Sequence, residues 1–288
     1  MTKKFRIKEF HVLLFPPAFW LILFFIVPLI IVLIYSIGSK GVYGGVQLGF
    51  NLANYRDIFQ GIYLKVILQS FWYALVATLL TLLIAYPIAY YMVFASIRIK
   101  LAIMFLIILP FWTNFLIRMY ALMTILGESG LINSFLLNLG LIKQPLPLMN
   151  NTFAVFTGFI YWNLPFMVLP IFSSLDRMDV SLLEASMDLG ASRSQTFRRI
   201  ILPYSLPGLV AGLIFTFVPT MGNFVIPEFM GGTGNYMIGN VITSQFIHAR
   251  NWPFGSALSM VLIFSVMILI SLYLRYYDPT RGKNLTAF

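Results

Sequence analysis

The stretch 180–203 reads VSLLEASMDLGASRSQTFRRIILP, and its turn chemistry predicts a compact hairpin of two helices. Ser181 followed by Glu184 has the spacing of a capping box that opens a short helix. Gly190 is the residue type that ends a helix in the left-handed conformation. Glu184 and Asp188 lie one turn apart on the first helix, and like charges at that spacing disfavour an isolated helix. We therefore expect this acidic helix to meet a basic partner.

The second helix of the hairpin leads into one of six long apolar segments. Ser192 or Ser194 is a suitable N-cap for it, and its apolar residues begin at Phe197 and Ile200. A membrane crossing needs about 20 apolar residues. The six segments that reach this length are 12–37, 66–95, 101–126, 153–175, 204–226 and 257–277. Together they predict an all-α membrane protein with six transmembrane helices and the hairpin between helices 4 and 5.

The composition supports this architecture and excludes several others. The chain has 288 residues, of which 60% are hydrophobic and 10% are charged, whereas charged residues make up about a quarter of a soluble protein. The strand-like alternation of an outer-membrane barrel is absent from the sequence. Cysteine is absent and histidine occurs only at His11 and His248, so thiolate chemistry and a haem or zinc site are not expected.

The net charge of +10 is explained by topology and needs no nucleic-acid partner. With the N-terminus inside, basic residues in the inner segments outnumber those outside, which is the positive-inside bias of helical membrane proteins. The inner residues are Lys3, Lys4, Arg6, Lys8, Arg98, Lys100, Arg177, Arg193, Arg198, Arg199, Arg275, Arg281 and Lys283, and the outer ones are Lys40, Arg56, Lys65, Lys143 and Arg250. Both termini are therefore predicted to be cytoplasmic. The first apolar segment is too long for a signal peptide and is expected to be retained.

The fifth segment is interrupted by helix-breaking residues. It contains Pro207, Gly208, Gly212, Pro219 and Gly222, with Pro227 following. Single prolines are common in membrane helices, but broken helices mark transport sites. Freed backbone groups at membrane depth are tolerated where protein or a water-filled cavity surrounds them. The cluster therefore favours a helix that lines a pathway.

The hairpin resembles the EAA loop of ABC importer permeases, E-A-A-x(3)-G-x(9)-I-x-L-P. Glu184, Ala185, Gly190 and the final Ile200-x-Leu202-Pro203 match the motif at its spacing, and Ser186 replaces its second alanine. The resemblance implies the MetI-like fold of type I ABC importers. It also implies that the loop carries the coupling helix, which docks on an ATPase subunit. The coupling residues would be Glu184, Ala185, Ser186, Asp188, Leu189 and Gly190.

Further motifs resemble the spermidine/putrescine permease subgroup, in particular its PotB-type members. They are PFWTNFLIR at 110–118, MGG at 230–232, IGNVI at 238–242 and WPFGSALS at 252–259. The resemblance implies a polyamine importer in a bacterial inner membrane, with this chain forming half of the pathway. The implied partners are an ATPase dimer that binds ATP and Mg²⁺, a second, PotC-like permease and an external polyamine-binding protein. The chain itself would bind no cofactor or metal, and it contains no Walker A motif for ATP.

A polycation requires carboxylates and aromatic faces along its path. Glu228, at the end of the broken fifth segment, is the preferred cation contact, although a solvated helix-end carboxylate explains it equally well. Trp112, Tyr120 and Trp162 are candidates for stacking on substrate or for anchoring in the membrane interface. Asn114 is a neutral polar candidate that either lines the path or joins helices.

Arg118 lies within a predicted span, where an arginine costs about 2.5–3.5 kcal/mol and requires a partner. We expect a structural ion pair with Glu128, and the alternative is a functional role as a charge barrier or as a clamp on a nearby carbonyl. Asn163, also in a span, joins helices or lines the path.

Other functions remain open on the residues alone. The alternatives are a permease subunit for an inorganic anion, thiamine or another small solute, and an independent secondary transporter. The spans offer no acidic relay for ion coupling and no cluster of side chains for an embedded enzyme, so we expect a non-catalytic subunit. The predicted divisions are residues 1–65 with the first helix and outer loop, a permease core at 66–277 and a cytoplasmic tail at 278–288.

Overall fold

The structure is a computed structural model that describes residues 13–276. The basic N-terminal residues, His11 and the predicted tail at 278–288 lie outside the described residues. The described helices are α1 (Leu13–Ser36), α2 (Ala53–Ile58), α3 (Ile62–Phe94), α4 (Ile97–Ile108), α5 (Phe115–Leu126), α6 (Leu131–Asn138), α7 (Thr152–Leu175), α8 (Ser181–Asp188), α9 (Arg193–Gly222), α10 (Val225–Met230), α11 (Ile238–Ile247) and α12 (Trp252–Tyr276). Helix α1 contains a π-helical turn at Ile22–Ile26, and α9 contains one at Phe197–Ile201.

The predicted all-α membrane architecture is confirmed. Six helical stretches are long and apolar enough to cross a membrane, and they are Leu13–Ser36, Ile62–Phe94, Phe115–Asn138, Thr152–Leu175, Arg193–Gly222 and Trp252–Leu272. The third of these stretches comprises α5 and α6 together. The described strands are two residues each, β1 (Ser39–Lys40) and β2 (Val46–Gln47), and they pair antiparallel in the loop between α1 and α2.

The predicted third helix, 101–126, is wrong as a single element. Its apolar sequence forms α4 and α5, which a 3₁₀ turn at Leu109–Trp112 separates. Pro110 lies in the first turn of the 3₁₀ segment, and Asn114 caps the start of α5. Each helix has 12 residues, or about 18 Å, which is short of the roughly 30 Å hydrocarbon core.

The fifth predicted segment is broken, but the break does not fall at a proline. Pro207 and Pro219 lie inside α9, whose helix ends at Gly222. The side chain of Asn223 then accepts a hydrogen bond from the N–H of Ile226 (3.0 Å) and starts the separate helix α10.

The described part of the chain divides into two compact units, residues 13–64 with 241–268 and residues 65–240 with 269–276. In the first unit, hydrogen bonds tie helix α2 to the end of α1. Asn54 Nδ2 donates to the carbonyls of Ser36 (3.1 Å) and Gly38 (2.8 Å), and the hydroxyls of Ser36 and Tyr55 are 2.7 Å apart. The predicted functional divisions at residues 65 and 277 stay predictions.

The second unit is built on the close approach of α7 and α9. At Gly208, an added Cβ would lie 2.6 Å from Cβ of Ser174 and closer still to the carbonyl oxygen of Pro170. The hydroxyl of Ser174 donates to the carbonyl of Tyr204 (2.8 Å). Small residues let membrane helices pack backbone to backbone. Apolar residues of α3, α7 and the hairpin complete this core, including Ala85, Ala89, Met167, Ile171 and Leu183.

Candidate functional site

The start of the hairpin differs from the prediction. Helix α8 begins at Ser181, but its N-cap is Val180 and no side chain of a capping box is bonded there. Instead, a carboxylate oxygen of Asp179 accepts from the N–H of Ser181 (2.9 Å). The Ser181–Glu184 capping box is therefore wrong, because an acceptor two residues earlier has taken the free N–H. Hydrogen bonds from the Ser181 backbone and side chain lower the pKa of Asp179.

The turn of the hairpin forms as predicted. Gly190 has φ +79°, and its N–H donates to the carbonyl of Met187 (2.9 Å) while that of Ala191 donates to the carbonyl of Ser186 (3.0 Å). These two hydrogen bonds are the pair that defines a Schellman motif. Ser192 then caps α9 in a reciprocal capping box with Gln195. Local sequence chemistry thus explains the reversal of the chain.

The hairpin presents an acidic, accessible face. Glu184, Ala185 and Asp188 are exposed, and Leu189 is 89% exposed. Among residues 13–276, the one ion pair is between Lys100 and Asp176, so the carboxylates of α8 face outward uncompensated by this part of the chain. An exposed leucine beside two carboxylates is chemically suited to a protein partner with a basic rim and an apolar centre.

Ser186 differs from the other coupling candidates because it faces inward. It is half-buried, its hydroxyl donates to the carbonyl of Leu183 (2.8 Å), and the hydroxyl of Thr196 lies 2.9 Å away. Thr196 is buried at the start of α9. The serine that departs from the EAA motif therefore joins the two helices of the hairpin.

An ion pair that the sequence analysis missed fixes the base of the hairpin. Lys100 Nζ donates to a carboxylate oxygen of Asp176 (2.7 Å), and the ammonium lies 5.2 Å from the ring centroid of Phe172. The lysine was assigned only to the positive-inside count. Its partner lies 76 positions away, so sequence spacing could not identify the pair.

Two pathway candidates lie at the break between α4 and α5. Trp112 is 78% exposed, and its ring contacts that of Phe105 edge to face at 6.4 Å. Asn114 uses its side-chain oxygen to accept the N–H of Leu116 (2.8 Å), which gives this residue a capping role. Both remain candidates for lining a path, because irregular backbone at membrane depth adjoins protein or a cavity.

Arg118 is enclosed by aromatic rings, and the predicted ion pair with Glu128 is wrong. Its guanidinium carbon lies 4.5 Å from the ring centroid of Phe111, 4.9 Å from that of Trp162 and 5.9 Å from that of Phe115. The residue is 7% exposed, and its Nε and Nη1 atoms are buried without a hydrogen-bond partner among the described residues. The ring faces provide the electrostatic attraction that a carboxylate was expected to supply.

Trp162 and Asn163 occupy different surroundings on α7. Trp162 is half-buried and belongs to the ring cage around Arg118. Asn163 is fully buried, and its Nδ2 donates to the hydroxyl of Thr220 on α9 (2.9 Å), which in turn donates to the carbonyl of Thr216 (2.6 Å). Asn163 therefore joins two helices.

Glu228 is held in position by Asn240, which the sequence analysis did not single out. Asn240 Nδ2 donates to a carboxylate oxygen of Glu228 (2.8 Å) and to the carbonyl of Phe224 (2.9 Å). Glu228 remains exposed. Tyr120, the last pathway candidate, packs edge to face on the neighbouring Phe229 at 5.6 Å. The structure thus places Tyr120 against helix α10 and Trp162 beside Arg118. Trp112 and Asn114 both lie at the break between α4 and α5.

Comparisons with known proteins identify the family. The family described as "Binding-protein-dependent transport system inner membrane component" matches residues 82–280. The chain is 42% identical over 256 residues to the spermidine/putrescine transport system permease protein PotB of Salmonella typhimurium (strain SL1344), covering 89% of each chain. Identity to the PotB protein of Escherichia coli (strain K12) is 41%, covering 89% of this chain and 93% of the relative.

A solved structure supports the same fold. The chain superimposes on a chain of a bacterial alginate ABC transporter, crystallised with an alginate pentasaccharide-bound periplasmic protein. The TM-score is 0.79, each chain is covered to 96%, and the identity is 15%. The predicted MetI-like permease fold and the resemblance to spermidine/putrescine permeases are confirmed. The chain belongs to the family of inner membrane components of binding-protein-dependent transport systems.

Proposed function

We propose that the chain is the PotB-type permease subunit of an ATP-driven polyamine importer in a bacterial inner membrane, with both termini cytoplasmic. The observation that carries the proposal is the 42% identity to a spermidine/putrescine permease over 89% of the chain. In this proposal the chain supplies half of the translocation pathway and performs no catalysis. Because one six-helix subunit encloses only part of a path, the complete pathway forms only in the intact complex.

Three kinds of protein partner follow from the proposal. An ATPase dimer on the cytoplasmic side binds ATP and Mg²⁺, and a PotC-like permease completes the pathway. A 121-residue part of this chain is 31% identical to the PotC protein of Escherichia coli (strain K12), which supports a pseudo-symmetric pair of permeases. An external binding protein delivers the polyamine to the outer loops.

The hairpin is the proposed site of coupling. Glu184 and Asp188 are exposed on α8, where they offer two carboxylates to basic residues of an ATPase groove. The Schellman turn at Gly190 and the Ser186–Thr196 contact keep α8 in a fixed orientation relative to α9. When the ATPases close, this geometry converts a displacement of α8 into a displacement of α9, and the pathway alternates between inward and outward access.

The experiment is reconstitution of the four kinds of subunit in proteoliposomes with external labelled spermidine and internal ATP. Glu184→Lys reverses the charge at the proposed contact, so we expect uptake to be abolished and ATPase capture in a pull-down to be lost. Glu128→Lys is the matched control, because Glu128 is also exposed but lies in an outer loop, and it should retain ATPase capture. Normal uptake by Glu184→Lys would disprove the coupling role. Competition by putrescine, thiamine and phosphate tests the alternative substrates.

A further inference from the structure

The ring cage formed by Phe111, Phe115 and Trp162 has the chemistry of a cation site. Three aromatic faces surround one guanidinium at 4.5–5.9 Å, within the distance at which ring quadrupoles attract a cation. The rings also support one another, since the centroids of Phe111 and Trp162 are 5.4 Å apart and those of Phe115 and Trp162 are 4.6 Å apart. The cage is therefore a preformed arrangement that packs around positive charge.

The present occupant of the cage is incompletely satisfied. Arg118 Nε and Nη1 are buried and lack acceptors among residues 13–276. A buried donor without an acceptor raises the free energy of the state that contains it. A guanidinium that only rings hold can leave for any conformation that offers it a carbonyl or a carboxylate. An ammonium ion, which is more compact, can occupy the same ring faces.

Two observations indicate that the cage faces the interior of the transporter. Charged residues in membrane spans face other helices or a water-filled cavity, and Arg118, the fourth residue of α5, lies within the candidate span Phe115–Asn138. The cage also adjoins the backbone break at Leu109–Trp112, and such irregular backbone is excluded from contact with lipid. The rings of Phe111, Phe115 and Trp162 are each only half-buried, so the cage is accessible from that side.

We propose that this cage binds an ammonium group of the transported solute, and that Arg118 is a tethered cation that occupies the cage until substrate displaces it. The inference rests on the proposed polyamine function. Polyamines alternate ammonium groups with methylene chains, and aromatic faces accommodate both. A tethered competitor keeps the cage filled when no substrate is present. It lowers the apparent affinity for substrate in proportion to the fraction of time that the cage is free of Arg118.

The test is equilibrium binding of labelled spermidine to the purified complex of both permeases and the ATPases, without the external binding protein. Arg118→Met removes the competing charge and keeps the length of the side chain, so we expect spermidine to bind about tenfold or more tightly than to wild type if Arg118 fills the cage over about 90% of the time. Arg118→Lys retains a tethered cation and should bind like wild type.

Second-site variants show whether the gain involves the rings. In the Arg118→Met background, Trp162→Leu should weaken binding about thirtyfold, because a desolvated cation–π contact is worth about that factor. Trp162→Phe retains a ring face and should weaken binding less. Trp72→Leu is the control, because Trp72 is an exposed tryptophan of α3 outside the cage, and it should have no effect.

A second measurement tests the inference if the double variants assemble poorly. In the otherwise wild-type importer, Trp162→Leu should raise the KM for spermidine without lowering the amount of assembled complex, whereas a merely structural role would lower the yield. The inference is overturned if Arg118→Met does not tighten binding or if Trp162→Leu and Trp72→Leu behave alike. The proposed function fails separately, if the wild-type complex with its binding protein takes up no spermidine.

Discussion

Gly208→Ala tests whether the contact between α7 and α9 depends on the absence of a side chain. The new Cβ would lie 2.6 Å from Cβ of Ser174 and closer to the carbonyl oxygen of Pro170, although real Cβ contacts essentially never fall below 3.0 Å. One of these neighbours is backbone, so no rotamer change relieves the clash and the helices must separate. Overpacking costs about 1–3 kcal/mol, and we expect the upper part of that range.

A competing effect reduces the loss but does not cancel it. Alanine is better than glycine in a helix by about 1 kcal/mol, so the net destabilisation should be about 1–2 kcal/mol. Gly212→Ala is the matched comparison on the same helix. Its closest contact would be Sδ of Met167 at 2.8 Å, the flexible part of a side chain that can move, so the two effects should nearly cancel.

The assay is reversible unfolding of the purified chain in mixed micelles by titration with a denaturing detergent. Gly234→Ala controls for the general effect of adding a methyl group, because an added Cβ there meets nothing within 4 Å. If Gly208→Ala is as stable as Gly212→Ala, the backbone contact is not limiting and the reasoning from close approach is refuted.

Three further predictions concern single hydrogen bonds. Ser186→Ala removes the contact with Thr196 and should destabilise the hairpin by about 0.5–1.5 kcal/mol, measured by hydrogen exchange. The amount of substrate transported per ATP hydrolysed should fall, and an unchanged ratio would contradict the role of this contact. Asn163→Leu should change stability by less than about 1 kcal/mol in the detergent titration, because membrane hydrogen bonds average about 0.6 kcal/mol and the variant also removes an unsatisfied buried oxygen. Thr220→Val should destabilise the chain more than Asn163→Leu, and the reverse order would refute this account. Asp179→Ala should speed amide exchange at the start of α8. Because the pKa of Asp179 is lowered in the folded state, the difference from wild type should be complete above the ordinary pKa of 3.8 and should vanish as the pH falls through the folded-state pKa. A difference that persists in acid would exclude the carboxylate as its source.

The parts of the fold that depend on local chemistry could be predicted from sequence. Gly190 and Ser192 lie within three residues of the groups that they bond, so their patterns specify the turn. The six apolar stretches likewise follow from the length that a bilayer requires. Local rules fail where two acceptors compete, as when Asp179 accepts the N–H of Ser181 that the side chain of Glu184 was expected to accept.

Features that depend on tertiary contacts could not be predicted in this way. The run 101–126 is uniformly apolar apart from a few residues, which hides the cap at Asn114 that starts α5. The partners of Arg118 come from the 3₁₀ turn, α5 and α7. A charge count favoured a carboxylate partner, since sequence alone does not show that three rings converge on the guanidinium. Glu228 was identified, but its bond to Asn240 joins residues on two different helices.

Helix α9 connects the hairpin to α10, the short helix that contains Glu228. Helix α9 runs for 30 residues, or about 45 Å, from the capping box of the hairpin to the break after Gly222. Near its start, the bond from Ser174 to the carbonyl of Tyr204 and the contact at Gly208 hold it against α7. Helices in such contact cannot slide past each other without breaking it, so we expect a displacement of the hairpin to move both. Beyond the break, Asn240 donates to the carbonyl of Phe224 and to the carboxylate of Glu228, so we expect a displacement of α9 to change the orientation of this carboxylate.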